Sequence, residues 1–384
     1  MDPLPMAGDH ILCAGEKKYS ATDKISPTIL PARFIMAPTN HMEGEPGMGY
    51  YLLGHGGSGD HGSEDRIRGI CRVLPERPEV FSMGLEEDWH YGLGAVAGLT
   101  RHISGVPERC IGSGDWCVTA QPAGVDRLRR GTRTVLWGWT PGAERIGRRS
   151  ARELSRFHAV IVPDRRSLEA LHTAGLEKNV RLGPDPAFLV ERQLRPLRGA
   201  FRKDTVGLCL SPAVCRFEAS QGLLYRSFCH LIRWLLDNTA MQIALIPYCV
   251  KPCCNDCLFL TAIEREFGKN DRILRREDGD CRVLRGDLSL CRCCVGTAGA
   301  LAAWSCGVPG LCVGSSSRAQ GIARMLFGSW QETVVSVGAL KREDALTDCF
   351  RTFLKREDGL RRRLEISVSQ YRRWAADWQW SSIA

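Results

Sequence analysis

The chain has 384 residues, too many for one ordinary hydrophobic core and suited to two domains of about 150 to 200 residues each. Its 44% hydrophobic and 25% charged residues exclude a disordered chain, which lacks the apolar surface needed to offset chain entropy. The net charge of +9 favours anionic partners such as phosphate esters and phospholipid head groups, while the absence of an aromatic-rich basic motif or a Cys/His finger spacing ranks nucleic acid low.

From the amino end, MDPLPMAGDH has early acids and no basic segment leading into an apolar run, so it does not read as a secretory signal. No apolar run approaches the roughly 20 residues of a membrane span, and the expectation is a cytoplasmic protein. In that reducing setting the 18 cysteines read as free buried thiols. Cys253, Cys254 and Cys257, with Cys291, Cys293 and Cys294, also offer thiolate spacings that a zinc ion uses, a reading ranked below free thiols; no metal is assigned.

Residues 1–45 are rich in Pro, Gly and small polar residues and form an N-terminal extension. Residues 46–195 read as the first lobe: a strand at Tyr50–Leu53, a Gly-rich turn, and a helix carrying Ile67, Ile70, Val73 and Leu74. Strands at Glu79–Met83, Thr134–Trp139, Ala159–Val162 and Val180–Leu182 alternate with helices at Arg148–Phe157 and Ser167–Ala174. A polar stretch from Glu191 to Asp204 separates this lobe from a second, residues 196–358, with strands at Val206–Leu210, Ile243–Pro247 and Gly310–Val313 and helices at Leu223–Leu236 and Asn255–Phe267. The alternation predicts an α/β protein of two Rossmann-like, doubly wound lobes. Residues 359–384 form an amphipathic tail, with Leu360, Leu364, Val368, Tyr371, Ala375 and Trp378 on one stripe flanked by arginines. It reads first as a helix closing across the lobes and second as a basic helix in peripheral contact with the inner face of a membrane.

The informative motif is the turn Gly54–Glu64, placed between a strand and a helix. Glycines let backbone N–H groups approach an anion, and the helix N-terminus favours negative charge. Gly57, Ser58, Gly59 and Asp60 are therefore candidate donor-binding residues. His55, His61 and Glu64 are candidates for proton transfer, although a histidine beside a loop is more often a hydrogen-bonding partner than a catalyst. Asp185 and Asp256 read first as caps of a turn and a helix.

The run GGSGDHGSED resembles the N-terminal signature of the polysaccharide pyruvyl transferase family. Ala159–Gly175, Gly183-Pro-Asp-Pro-Ala-Phe-Leu189, Asn255-Asp256 and VGTAGALAAWSCGVPGLCVGSSSRAQGIARMLFG continue that resemblance in one order over roughly residues 50–376. The resemblance implies a two-lobed, GT-B-like arrangement that moves pyruvate from phosphoenolpyruvate to a sugar of a surface polysaccharide as a ketal. The acceptor would be a polysaccharide or lipid-linked oligosaccharide, and no cofactor is needed beyond the donor substrate. It also adds Arg165, Thr297, Ser315 and Arg318 as donor-binding residues and places the Gly-rich turn opposite the Gly314–Gly321 loop.

Three positions depart from the family pattern. Pro163-Asp164 stands where an Arg precedes an acid, Gly296-Thr297-Ala298 where the family has Arg-x-His, and Tyr248 where the Ile-Pro turn ends in His. Arg318 replaces a Lys and keeps the charge. Three functions stay open: pyruvyl transfer through other groups, a catalytically degenerate binding or scaffolding protein, and a GT-B nucleotide-sugar glycosyltransferase.

Overall fold

The computed structural model describes residues 49–101, 109–113, 132–141, 146–195, 201–314 and 317–378. The expected extension, residues 1–45, lies outside them. The first lobe runs β1 (Tyr50–His55), α1 (His61–Val73), β2 (Glu79–Ser82), α2 (Leu85–His90), β3 (Gly98–Thr100), β4 (Arg109–Ser113), β5 (Arg133–Trp137), α3 (Arg148–Leu154), β6 (Ala159–Val162), α4 (Arg165–Thr173) and β7 (Val180–Leu182). Its seven strands are ordered β3-β2-β1-β4-β5-β6-β7, and every neighbouring pair is parallel.

The second lobe contains β8 (Thr205–Cys209), α5 (Leu223–Asn238), β9 (Gln242–Leu245), α6 (Asp256–Phe267), β10 (Ile273–Arg275), α7 (Cys281–Ser289) and β11 (Cys293–Gly296). It continues with α8 (Ala298–Ser305), β12 (Gly310–Gly314), α9 (Ser317–Phe327), β13 (Val334–Ser336), α10 (Ala345–Leu354) and α11 (Glu357–Asp377). The strand order is β10-β9-β8-β11-β12-β13, again all parallel.

The central strands, such as Ala159–Val162, are largely apolar because helices cover both faces of each sheet. The two-residue period sorts their side chains. In β6, Ala159 and Ile161 enter the cluster with Leu52, Ile67 and Trp137, while Val160 and Val162 join Leu136, Leu154 and Leu171 on the other face. In β8, Val206 and Leu208 face α5 residues such as Phe228 and Ile232, and Cys209 faces Leu284 and Leu288 of α7.

The two cysteine groups do not converge on a metal. Cys291, Cys293 and Cys294 are buried around β11, whereas Cys253 is exposed, and among the described residues no group of three His, Cys, Asp or Glu is arranged to hold an ion. β11 was hidden in the sequence because its cysteines read as a ligand spacing rather than as small apolar strand residues.

The tail closes the molecule. Leu360, Leu364, Val368 and Tyr371 join the second-lobe core, and Trp378 packs at a tilt against Trp137 of the first lobe with ring centroids 5.1 Å apart. The stripe a membrane surface would need is thus buried in the protein, and among the described residues no helix is long and apolar enough to cross a membrane. Leu364→Ala should cost about 3 kcal/mol in urea unfolding because its site is fully buried, whereas Ile366→Ala, 62% exposed, should change stability by less than about 0.5 kcal/mol. Equal effects at the two positions would refute this packing.

Candidate functional site

The Gly-rich turn follows β1 and does cradle an anion, but the anion belongs to the chain. Asp88, wholly buried on α2, accepts the Ser58 N–H at 2.8 Å and the Ser58 hydroxyl at 2.7 Å, and it also accepts the Ser82 hydroxyl. His55 Nε2 lies 2.8 Å from the same carboxylate. Burial alone would raise the Asp88 pKa, yet these bonds and the His55 charge hold it below the usual range. Glu87 takes the Gly59 N–H at 3.3 Å, and a side chain at Gly57, whose φ is +107°, would strike Glu87 and Gly84. Asp60 caps α1, accepting from the Gly62 and Ser63 N–H groups at 3.1 and 3.3 Å. Of the residues expected to bind the donor, Ser58 and Gly59 thus have their donors engaged by internal carboxylates, the Asp60 N–H donates to the Gly57 carbonyl at 3.2 Å, and the Asp60 carboxylate caps α1. His55 is likewise locked against Asp88.

One face of α1 joins the lobes. The loop after β9 lies against the Gly-rich turn: the His61 N–H donates to the Tyr248 carbonyl at 3.3 Å, the Val250 N–H to the Gly59 carbonyl at 2.7 Å, and Lys251 Nζ to the Gly56 carbonyl. His61 sits wholly buried between Glu64 and Asp278, with both nitrogens 3.0 Å from a carboxylate oxygen. Burial lowers its pKa, but the bonds to Asp278 and Glu64 and their charges outweigh that and raise it to about 9. Glu64 also accepts from Arg68 Nε at 2.6 Å and from the Cys281 N–H at 2.9 Å. Beside it Asp65 pairs with Arg285 at 2.6 Å and accepts the Tyr248 hydroxyl at 2.7 Å. His61 and Glu64, expected as candidates for proton transfer, thus stand as interlobe fasteners in this arrangement. The turn faces residues 248–251, not the Gly314–Gly321 loop; of that loop, Ser317 instead donates to the Pro141 carbonyl, and Gly321 packs on Asp164.

The other face of α1 is different. Gly62 lets the helix approach Ala298, whose Cβ would lie 3.4 Å from an added Cβ, and Gly69 admits the Pro186 backbone. Midway along this i, i+4, i+7 stripe stands Arg66, 9% exposed, with its buried Nε lacking any hydrogen-bond partner. Arg318 forks onto Asp185 with distances of 2.7 and 2.8 Å. Burial would raise the Asp185 pKa, but Arg318, the Ala187 N–H and the Arg66 charge hold it low. Arg318 is therefore a cation already paired, not a free donor clamp. The adjoining helix α8 begins at Thr297, whose side chain makes no cap hydrogen bond, so its N-terminal amides lack that internal acceptor. At the neighbouring strand ends, Asp256 caps the 248–249 amides with Oδ2 and leaves Oδ1 buried and unpartnered; burial raises its pKa to about 7.

Arg165 is exposed at the first position of α4, and it is Arg166 that reaches across to Gln320 at 2.8 Å. Asp164 caps α4 through Ser167. Ser315 lies outside the described residues. Arg66 was missed in the sequence reading. The signal available was its position four residues after Gly62 and three before Gly69, a small-residue stripe interrupted by one cation.

Two parallel sheets meeting through the loops at their carboxyl ends define a two-lobed α/β fold of the GT-B type. The chain is similar to a putative UDP-N-acetylglucosamine 2-epimerase from Listeria monocytogenes, with 11% identity over 83% of this chain and 91% of that one and a TM-score of 0.59. It is similar also to S. aureus MnaA in complex with UDP (11% identity, 83% and 90% covered, TM-score 0.57). A third likeness is to the Anabaena protein HepE in complex with UDP and glucose (10% identity, 86% and 97% covered, TM-score 0.51). At these identities the likeness establishes the fold. No protein-family model and no curated protein matches the chain.

The His61 assembly makes stability depend on pH. A histidine whose pKa rises from 6.5 to about 9 on folding contributes stability that is fully present below pH 6.5 and lost as pH climbs through 9. His61→Gln should lower stability at pH 7 by about 3 kcal/mol, since it leaves two carboxylates without their buried cation. It should also flatten the decline between pH 7 and 10 expected of the wild type in chemical denaturation; an unchanged slope would remove His61 from the interlobe tie.

Proposed function

We propose that this protein is a GT-B-type transferase that binds a phosphate-bearing sugar donor, a nucleotide sugar, between its lobes. The observation that carries the reading is Arg66, a nearly buried guanidinium with an unmatched Nε at the face where both sheets present their carboxyl ends. Open parallel sheets bind ligands at that edge. A desolvated cation with an unused donor is costly unless an anion completes it, and the uncapped N-terminus of α8 adds amides and a favourable dipole. The three solved structures named above share the fold, and two of them hold UDP.

Transfer of pyruvate from phosphoenolpyruvate is the second reading. It is favoured by the segment Gly183–Leu189, whose Asp185 is the residue gripped by Arg318 beside Arg66. A small donor bearing a carboxylate and a phosphate would be held by Arg66 together with Arg318 once Arg318 is released from Asp185. In either case the acceptor is a sugar hydroxyl of a polysaccharide or lipid-linked oligosaccharide, and Asp256, with a pKa near 7 and a free Oδ1, is the acid nearest in character to a proton carrier.

Separate calorimetric titrations with UDP and with phosphoenolpyruvate distinguish the readings. UDP should bind, and Arg66→Ala should weaken it by about 10- to 100-fold, with Arg66→Lys in between. Binding of phosphoenolpyruvate alone would select the second reading. Failure of both ligands at millimolar concentration would overturn each. Binding with no turnover on any sugar acceptor would mark a non-catalytic homologue.

A further inference from the structure

The loop that clips the second lobe to the Gly-rich turn carries a thiol cluster that the donor site does not use. Cys249 pairs with Asp60 in an antiparallel β-bridge, and its neighbour Val250 donates to Gly59. Five residues on, Cys254 places its Sγ 3.1 Å from Cys249 Sγ, and Cys253 Sγ lies 3.6 Å from Cys254 Sγ. The turn that brings them together is held by its backbone, with the Cys254 N–H donating to the Lys251 carbonyl at 3.0 Å and the Asp256 N–H to the Cys249 carbonyl at 2.7 Å. Cys249 is buried, Cys254 half-buried and Cys253 exposed, so solvent reaches the cluster from one side.

We propose that Cys249 and Cys254 are a reversible oxidation site, closing to an intramolecular disulfide with a peroxide oxidant, and that the bond freezes the loop fastening the lobes.

The chemistry of the cluster supports this order of events. Hydrogen bonding from Cys249 draws the Cys254 thiol down; burial opposes it, Cys253 reinforces it, and Lys251 offsets the nearby Asp60, leaving a pKa of about 6. Cys254, drawn down and reached by solvent where Cys249 is buried, is the nucleophile. Its sulfur attacks one peroxide oxygen: the S–O bond forms, the O–O bond breaks, and hydroxide departs. Cys249 then attacks the sulfenic sulfur; the S–S bond forms, the S–O bond breaks, and the Cys249 proton leaves with that oxygen as water. The two thiols lose two electrons and the peroxide gains them. Closing the pair to a bonded length of about 2.05 Å requires the sulfurs to approach by about 1 Å, a side-chain adjustment that leaves the β-bridge to Asp60 in place. Cys253 is the weaker partner, being farther away and joined to Cys254 through one peptide unit.

The full chain, treated with one equivalent of hydrogen peroxide and mapped by differential alkylation and mass spectrometry, should lose two alkylatable thiols as a Cys249–Cys254 bridge that dithiothreitol reverses. Amide exchange in residues 56–61 and 246–251 should slow several-fold in the oxidised protein. Cys253→Ser should retain the bridge, and the double variant Cys249→Ser, Cys253→Ser should leave a sulfenic acid at Cys254 that dimedone traps. A wild-type bridge to Cys253, no trapped sulfenic acid, exchange unchanged by oxidation, or a stoichiometric zinc ion shielding all three thiols would each overturn the proposal. None of these readouts depends on donor binding.

Discussion

Asp65 and Arg285 face each other across the lobe boundary at 2.6 Å, withdrawn from water almost completely. Taking both charges out of solvent is tolerable because each guanidinium nitrogen finds an acceptor: Arg285 also reaches the Ala187 carbonyl and the Ser305 hydroxyl, and Asp65 receives the Tyr248 hydroxyl. That constraint sets how far α1 can slide or turn against α7 and α8. It also makes Tyr248 intelligible. Its phenol is held far above its ordinary pKa by burial beside Asp65, so it serves as a hydrogen-bond donor between lobes and not as a proton carrier.

With α1 held in this way, its two faces divide the work. The face bearing His61, Glu64, Asp65 and Arg68 is closely paired across the lobes, the buried Arg68 Nη1 excepted. The face bearing Gly62, Arg66 and Gly69 is not: its small residues bring two backbones close, and between them lies a guanidinium with an unused donor. The close approach of two backbones beside the unmatched Arg66 Nε directs attention to that face as the place for a ligand. The Gly-rich turn, which drew most notice as a motif, is occupied from within, since Asp88 and Glu87 supply from α2 the negative charge an external phosphate would otherwise bring.

Much of the architecture was legible in the residues. Buried strands such as Ala159–Val162 and helices such as Leu223–Asn238 carry strong local patterns, and the tail stripe correctly read as a closing helix. The three-residue edge strands Gly98–Thr100 and Ile273–Arg275 were not read from the residues, whereas the equally short edge strand Val180–Leu182 was. Of the candidate residues, those nominated by a loop motif turned out to be partnered, and the buried arginine was invisible because a charge at a helical position ordinarily marks a solvated face.

The sequence by itself determined the fold class: alternating apolar runs and amphipathic helices can bury their surfaces only as parallel sheets covered on both faces, and this is a local property repeated along the chain. The tertiary structure alone decided which polar groups remain available. Asp88 lies 30 residues from Ser58, Asp278 lies 217 from His61, and Arg285 lies 220 from Asp65. Whether a charged side chain is a tool or a fastener depends on partners at such distances, and pairing over them is set by packing, which no local pattern encodes.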